Sequence, residues 1–292
     1  RSRGLGDVYK RQVPVSSPAV SVPREDRREQ EYQRITDQAQ SGWRRSFSIT
    51  GLILVAVILS AWAVGLLDAN RMVTGLADIA DLLSEMWVPD FTHLNSWWGP
   101  LLDSMTMSIA ATALAVLLSV PLALLGARNT SPHPAIYWVA RLILNVLRSV
   151  PELIMAIVFV AAVGFGALPG ALALGIHSAG MVGKFFAEAI ERAAEAPVEA
   201  ARATGAGPAQ VILHGILPQV LPQMADVTVY RWEYNFRASV VVGVVGAGGI
   251  GFELIAALRI FQYDEVAAIL LVILATVTVV DALGGALRKR FQ

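Results

Sequence analysis

Residues 46–67 read SFSITGLILVAVILSAWAVGLL, a run of 22 residues without a charged side chain. A helix rises about 1.5 Å per residue, so this run can cross a hydrocarbon core roughly 30 Å thick. It is longer than the apolar core of a signal peptide, about 7–15 residues, which favours a retained membrane helix. Only 16% of the 292 residues are charged, 55% are hydrophobic, and the mean hydropathy is +0.57. The sequence therefore predicts an all-α membrane protein.

The segment before this run, residues 1–45, is polar and carries ten Lys or Arg against six Asp or Glu. It has too little apolar surface to fold alone, so it is predicted as a disordered arm with helical potential between Arg24 and Gln40. Residues 1–12 begin with Arg rather than Met, and they are treated as a candidate non-native segment outside the fold.

The uncharged run and the segment after it form a second predicted region, residues 46–103. Residues 68–103 of this region carry six acidic residues and one basic residue. Apolar residues recur there at spacings of four and three, at Met72, Leu76, Ile79, Leu83 and Met86. That pattern predicts an amphipathic helix lying at the outer membrane surface. A loop is expected to follow, with Trp87, Trp97 and Trp98 at headgroup depth.

The remaining region, residues 104–292, is predicted as a transmembrane domain with five more spans, which makes about six in all. These are Ser104–Leu125, Leu144–Val163, Ala171–Ile190, Ala238–Leu258 and Val266–Ala286. The bias of Lys and Arg predicts that both termini and the loop around Arg128 lie in the cytoplasm. The loop from Glu191 to Met224 has three Glu and two Arg, and it is placed in the cytoplasm by the parity of the spans alone. The acidic segment 68–103 is then outside.

Composition excludes several classes of function. The chain has no cysteine, so it has no disulfide framework and no thiolate metal site or nucleophile. The four histidines are far apart in sequence, and no metal site is expected. The net charge is zero, which gives no reason to expect a nucleic-acid partner.

The polar loop between the fourth and fifth spans carries a distinctive motif, Glu199-Ala200-Ala201 followed by Gly205 and then Leu217-Pro218. The alanines allow a close approach to another surface, and Gly205 permits the positive φ that ends a helix. A second short helix is predicted from Pro208 to Leu217, with Pro218 ending it.

This motif resembles the Glu-Ala-Ala loop of the membrane subunits of ABC importers. The family usually has Ile three positions before its proline, where this chain has Gly215 and then Ile216. Further segments of residues 104–292 resemble the phosphonate-importer permease group. These are Arg148–Leu153, His177–Gly180 with Gly183–Phe185, and Tyr230–Arg237 leading to Gly246–Gly251.

The resemblance implies a permease subunit in the bacterial cytoplasmic (inner) membrane. Its loop, with Glu199, Ala200, Ala201, Gly205, Leu217 and Pro218, would form the helix that docks on an ATPase subunit. It also implies an extracytoplasmic solute-binding protein, a second permease copy as a homodimer, surrounding lipid, and phosphonate, phosphite or phosphate as cargo. Related methionine permeases share some of these segments, so another small solute stays open.

Two glycine motifs resemble nucleotide sites and are interpreted otherwise. Gly246, Gly248 and Gly251 satisfy G-x-G-x-x-G, but they interrupt an apolar run of membrane length. With Gly249 they are predicted to serve close helix packing or to break a helix that lines a cavity. Gly183-Lys184 is followed by Phe185, so no P-loop is present. No cofactor is expected in this chain, and ATP would be bound by a partner subunit.

The ionisable residues inside the spans leave alternatives open. His177, Lys184 and Glu188 share one helical face and could line a translocation path, or Lys184 and Glu188 could simply pair. Arg148 and Glu152 are also four residues apart, and structural pairing is favoured over a role in gating. An ion-coupled carrier and an intramembrane enzyme using His177 with Glu152 or Glu188 remain alternatives, although no catalytic set presents itself.

Overall fold

Helices make up nearly all of residues 24–291, the part of the chain that the computed structural model describes, and no strand occurs within it. The helices are α1 (Arg24–Ala63), α2 (Ala69–Glu85), α3 (Trp98–Leu125), α4 (Pro134–Ser149), α5 (Glu152–Val163), α6 (Ala167–Glu191), α7 (Glu195–Ala203), α8 (Pro208–Val211), α9 (Leu217–Val242), α10 (Ile250–Arg259) and α11 (Tyr263–Phe291). The predicted all-α class is confirmed. The chain divides into two compact units, residues 1–78 and 79–292, with the boundary inside α2.

The first unit contains α1, whose uncharged stretch Ser46–Ala63 has no side chain buried by the described chain. Such a helix suits a lipid environment, where apolar side chains need no protein cover. The helix begins at Arg24 and runs through the predicted boundary at residue 45 without a break. The part of the expected disordered arm before Arg24 lies outside the described residues.

The amphipathic helix expected after the first span is α2. Its N-terminus is capped by Asp68, whose Oδ1 accepts from the backbone N–H groups of Asn70 and Arg71 at 3.1 and 3.2 Å. No residue of α2 is buried, and the apolar side chains of Met72 and Leu76 are exposed. An uncovered apolar stripe opposite a polar face is typical of a helix at a membrane surface.

One tryptophan was placed wrongly by the sequence. Trp97 is 1% exposed and packs in a cluster with Ile250 and Ile269, rather than lying in a loop at headgroup depth. The reason is that α3 begins at Trp98, before the predicted Ser104, so the preceding turn folds against α10 and α11. Trp87 and Trp98 remain exposed.

Three helical stretches are long and apolar enough to cross a membrane: Ser46–Ala63, Leu94–Leu125 and Tyr263–Arg290. Two bent helix pairs bring the number to as many as five, if each pair forms one span. The pairs are α4 with α5, bent by 84°, and Pro208–Ala247 with α10, bent by 57°. The third and fifth predicted spans, Leu144–Val163 and Ala238–Leu258, are therefore broken rather than continuous.

The break between α4 and α5 follows from Pro151. A proline disfavours the helical conformation in the residue before it, and Val150 is accordingly extended at φ −85° and ψ 121°. Pro151 also has no N–H group with which to continue the ladder of α4. Glu152 then opens α5 as a new helix.

The interior of the second unit is built around α6, which contacts α3, α4, α5 and α9. Small residues on α6 permit this crowding. A Cβ at Gly180 would lie only 2.6 Å from the backbone nitrogen of Arg148 and 2.8 Å from the Leu144 oxygen, so α4 passes directly against α6. Ser119 of α3 donates to the Ala179 carbonyl of α6 at 3.0 Å. These contacts hold α6 in place as the central element of the unit.

Candidate coupling loop and buried polar cluster

The loop motif forms two short helices joined by a glycine turn. The first, α7, ends at Ala203, and Gly205 follows at φ +81°, a conformation that glycine adopts without strain. Gly207 donates its N–H to Gln210 Oε1 at 2.9 Å, and Pro208 opens α8. Gln219 Oε1 accepts from the Ala194 N–H at 2.9 Å, so α9 holds the start of α7.

The departure from the family pattern at Gly215 has a packing reason. Gly215 is buried against α7, where a Cβ would lie 3.2 Å from the Val198 Cα and 3.5 Å from the Pro197 oxygen. A branched side chain there would push the two helices apart. Ile216, which is 2% exposed, supplies the core side chain instead and clusters with Val198.

Pro218 does not end the second helix, as the sequence had suggested. The backbone widens into a π turn over Ile212–Ile216, where the Leu217 N–H donates to the Ile212 oxygen, and α9 then begins at Leu217. Pro218 lies in the first turn of α9, where a missing N–H costs little. The helical path thus runs from Pro208 to Val242 without an end at Pro218.

The outer face of this loop is exposed and lacks internal partners. Glu199, Ala200 and Arg202 are exposed, whereas Ala201 is half-buried. Within residues 24–291 the Glu199 carboxylate makes no hydrogen bond or ion pair. An open depression of about 380 Å³ lies at the Gly205 turn, lined by Ala201, Thr204, Gly205, Ala206, Gln210 and His214.

His177, Lys184 and Glu188 of α6 do not form one group. Lys184 Nζ lies 3.8 Å from Glu188 Oε1, and Arg192 lies 3.5 Å from the other oxygen of Glu188. These are half-exposed pairs of the kind expected at i,i+4 spacing, each worth a few tenths of a kcal/mol, ~0.3–0.5. His177 instead turns toward α5.

His177 bridges the broken span. Its Nδ1 lies 3.0 Å from the Val150 carbonyl oxygen, and its Nε2 lies 3.2 Å from Glu152 Oε2. The other Glu152 oxygen accepts a hydrogen bond of 2.8 Å from the Tyr234 hydroxyl. The break at Pro151 is what leaves the Val150 carbonyl free to accept from a side chain.

The expected pairing of Arg148 with Glu152 is therefore wrong. Their spacing of four residues would bring them together only on a continuous helix, and the 84° bend separates α4 from α5. Arg148 is exposed, and Glu152 is paired with His177.

A second set of polar contacts continues from this pair into the centre of the unit. Arg231 Nε donates to Ser178 Oγ at 2.8 Å, and Ser178 donates to Asn235 Oδ1 at 2.8 Å. Asn235 Nδ2 donates to Thr112 Oγ1 at 2.9 Å. The Arg231 guanidinium also lies over the Tyr234 ring, with Cζ 4.1 Å from the ring centre. These contacts join α3, α6 and α9 and meet the His177–Glu152 pair at Tyr234.

The sequence indicated Tyr230–Arg237 only as a segment of family resemblance and gave no role to Arg231 or Asn235, because the fifth span was expected to begin at Ala238. The signal that could have found them is the set of small hydroxyl residues at buried helix positions, such as Ser178 and Thr112. Arg231, Ser178 and Asn235 are at most 4% exposed. Buried polar groups need partners, so polar residues in apolar helices mark where helices meet.

The glycine run combines helix breaking with close packing. Gly246, Gly248 and Gly249 have φ values of +97°, +74° and +75°, which no helix contains. A Cβ at Gly251 would overlap the Val240 carbonyl oxygen. The Ile250 N–H at the new helix start donates to Ser104 Oγ at 3.0 Å, so α10 begins directly against α3.

Residues 116–292 match the family described as the inner membrane component of binding-protein-dependent transport systems. The chain belongs to this family. The matched region contains the candidate coupling loop, the glycine run and every member of the polar cluster except Thr112. The chain is thus a multi-pass protein of the inner membrane, and its family works together with binding proteins.

Relatives agree with this family. The phosphite transport system permease protein PtxC of Stutzerimonas stutzeri is 64% identical over 251 residues, which cover 86% of this chain and 91% of the relative. The putative phosphite transport system permease protein HtxC of the same organism is 35% identical, over 84% and 87% of the two chains. The phosphate-import permease protein PhnE of Mycolicibacterium smegmatis is 43% identical over 80% of this chain and 44% of its own length.

Solved structures agree with the fold. An inward-facing structure of the MetNI methionine ABC transporter has a TM-score of 0.58 at 20% identity, and the match covers 65% of this chain and 94% of that one. The crystal structure of an amino acid ABC transporter with histidines has a TM-score of 0.57 at 20% identity, and the match covers 69% of this chain and 98% of that one. At this identity the likeness concerns the fold alone.

Proposed function

We propose that this chain is the permease subunit of an ATP-driven importer of phosphorus oxyanions, with phosphite first and phosphate or phosphonates next. The observation that carries the proposal is the 64% identity to a phosphite permease across 86% of the chain. A methionine cargo has less support, since the match to the methionine transporter structure is at 20% identity.

The proposed assembly contains two copies of this chain, two ATPase subunits and an extracytoplasmic binding protein. ATP binds to the ATPase subunits, and this chain holds no cofactor and performs no catalysis. Closure of the ATPases moves the helices between outward and inward arrangements around a central path, as in other alternating-access carriers.

The coupling surface is the exposed face of α7 with the turn at Gly205. Support comes from the Glu199 carboxylate, which is exposed and unpaired within residues 24–291. The open depression beside Gly205 gives a partner side chain room to enter. The alanines on α7 have short side chains, so another helix can approach the backbone of α7 closely.

The substrate is tested by purifying the chain with its ATPase and binding protein and measuring ligand-stimulated ATP hydrolysis. Phosphite should stimulate hydrolysis, and phosphate or methylphosphonate should do so at higher concentration, whereas methionine should not. If only methionine stimulates hydrolysis, the cargo is an amino acid and the proposed phosphorus oxyanion is wrong.

The coupling surface is tested by charge reversal. Glu199→Lys should weaken binding of the ATPase about a hundredfold, because it repels a cationic partner across the interface. Gly205→Val should also impair docking, since a β-branched residue resists positive φ. Asp81→Lys on exposed α2 is the control and should bind the ATPase normally. Normal ATPase retention and uptake in both loop variants would exclude this loop as the coupling element.

The orientation is tested with single cysteines, which the native chain lacks. A cysteine at Asn95 should react with an impermeant thiol reagent in intact cells, and one at Gln292 should not. Both termini then lie in the cytoplasm. Labelling of position 292 from outside would contradict the cytoplasmic C-terminus and the model with six spans.

A further inference from the structure

Among the described residues, the buried polar cluster carries a net positive charge. His177 Nδ1 faces the Val150 carbonyl and Nε2 faces a Glu152 oxygen, so two acceptors surround one imidazole. A proton must therefore lie on Nδ1, and a second must lie between Nε2 and Oε2, or these two atoms would repel each other. The His177–Glu152 pair is then neutral, whichever of the two atoms holds the second proton.

Arg231 adds one full positive charge to this neutral pair. Within residues 24–291 it forms no ion pair, because the ion pairs there involve other cations. Its only described hydrogen bond is to the neutral Ser178 hydroxyl, and its guanidinium stacks on the neutral Tyr234 ring. A buried cation without a carboxylate is costly in a membrane protein and usually marks a functional site.

The guanidinium is also incompletely hydrogen-bonded. Arg231 is 4% exposed, and its terminal NH2 nitrogen is buried without a hydrogen-bond partner. The Nε edge is occupied by Ser178, so the free donor lies at the far end of the group. A guanidinium presents its N–H donors in a planar fork that fits the oxygens of carboxylates and phosphorus oxyanions.

The position of Arg231 suits a site on a transport path. It lies on α9 between the coupling loop and the glycine break, and its partners belong to α6 and, through Tyr234 and Glu152, to the broken span at α5. Broken helices that meet polar groups within the membrane are where carriers commonly bind their cargo.

We propose that the Arg231 guanidinium is the group that contacts the phosphorus oxyanion inside the permease, with its unpartnered NH2 as the donor. This rests on the proposed function and adds the residue that selects an anion within the membrane. The contact forms when the helices around Ser178 and Tyr234 separate, since the NH2 group is enclosed in the arrangement seen here. Lys184 is not needed for this contact, because Glu188 already lies beside it.

The test uses the complete assembly with ATPase and binding protein in proteoliposomes and measures the initial rate of phosphite uptake. Arg231→Gln should lower uptake at least about tenfold, and Arg231→Lys should keep an intermediate rate because it retains the charge without the fork. ATPase retention, measured by co-purification, reports whether each variant has assembled. Arg237→Gln is the matched control, an exposed arginine on the same helix that pairs with Asp281 at 3.2 Å, and its uptake should stay within about twofold.

A second variant keeps the test decisive if Arg231→Gln fails to assemble. Asn235→Asp is nearly isosteric and places a carboxylate two hydrogen bonds from Arg231, through Ser178, at the loss of the Nδ2 donor to Thr112. Where it assembles with the ATPase, it should lower uptake, because the built-in anion competes with the cargo. Wild-type uptake in Arg231→Gln, or in an assembled Asn235→Asp, would overturn the proposal.

Further outcomes distinguish a failure of the Arg231 contact from a failure of the proposed phosphite transport. Equal loss of ATPase binding in Arg231→Gln and Arg231→Lys, with normal uptake in Asn235→Asp, would make Arg231 structural and leave phosphite transport in place. An equal loss of uptake in Arg237→Gln would make the effect a property of α9 and also overturn the assignment. Absence of phosphite uptake by the wild-type assembly would overturn the proposed function and this contact together.

Discussion

Two spans of this protein are broken, and they are broken in different ways. At Val150–Pro151 the chain bends by 84° because Pro151 has no backbone N–H donor, and the freed Val150 carbonyl accepts a hydrogen bond from His177. At Gly243–Gly249 it bends by 57° because side chains are missing, and the backbone itself packs against Val240 and Ser104. The first break creates a place for polar side chains, whereas the second brings main chains into contact. The two should therefore differ in how much change they tolerate.

The largest effect is expected at the glycine break. Gly251→Ala places a methyl group on the Val240 carbonyl oxygen, and a backbone atom cannot move aside as a side chain can. We expect the free energy of unfolding to fall by about 3 kcal/mol or more. The matched control is Gly285→Ala in α11, where no atom lies within 4 Å of the added Cβ. Both variants are measured by thermal unfolding in detergent, with the fraction of protein that stays monodisperse as the readout. Equal behaviour of the two variants would show that the close backbone packing is not needed.

An intermediate effect is expected from the side chain that crosses the proline break. Glu152→Ala removes the acceptor of both the Tyr234 hydroxyl and His177, at a cost of about 1–3 kcal/mol. Glu152→Gln is the control, because its oxygen can accept from Tyr234 and its amide can donate to a neutral His177. The same unfolding measurement should place Glu152→Gln close to the wild type. If Glu152→Ala is equally stable, the polar cluster contributes little to holding this break.

The smallest effect is expected at Pro151 itself. Pro151→Ala mainly increases the freedom of the unfolded chain, which lowers stability by about 0.4–1 kcal/mol. Pro134→Ala at the first turn of α4 should cost a similar amount, since that proline also occupies a compatible position. The two differ in uptake, which Pro151→Ala should reduce by loosening the bend and Pro134→Ala should not. A loss in Pro151→Ala as large as that in Gly251→Ala would mean that the two breaks are not different in kind.

The parts of the fold that depend on local composition could be predicted from the sequence. The uncharged stretch of α1, the amphipathic α2 and the helix stop at Gly205 follow from apolar runs, periodicity and glycine conformation. The polar cluster could not be predicted in this way. Asn235 bonds to Thr112, 123 residues away, and hydropathy alone placed the fifth span after both Arg231 and Asn235. Which buried polar groups meet is decided by helix packing, and the sequence does not display it locally.

The same limit explains the remaining errors. Trp97 looked like an interfacial aromatic, yet it is buried because α3 starts earlier and meets α10. The spacing of Arg148 and Glu152 indicated a pair, but spacing has that meaning only where the helix continues. Gly215 departs from the family pattern because α7 packs directly against it, and the sequence alone does not show that contact.

The uninterrupted path from Pro208 through the π turn into α9 has a mechanical consequence. From Pro208 to Arg231 it would measure about 35 Å at the rise of an α-helix. One end of this path is the loop that we propose as the ATPase-docking surface, and Arg231 lies at the other end. If docking displaces the loop, this helix would carry part of the displacement to Arg231, although the π turn at Ile212–Ile216 and Pro222 inside α9 make it less stiff than a regular α-helix. Because the helix does not end at Pro218, the proposed docking surface and the proposed anion contact lie on one continuous stretch of helical backbone.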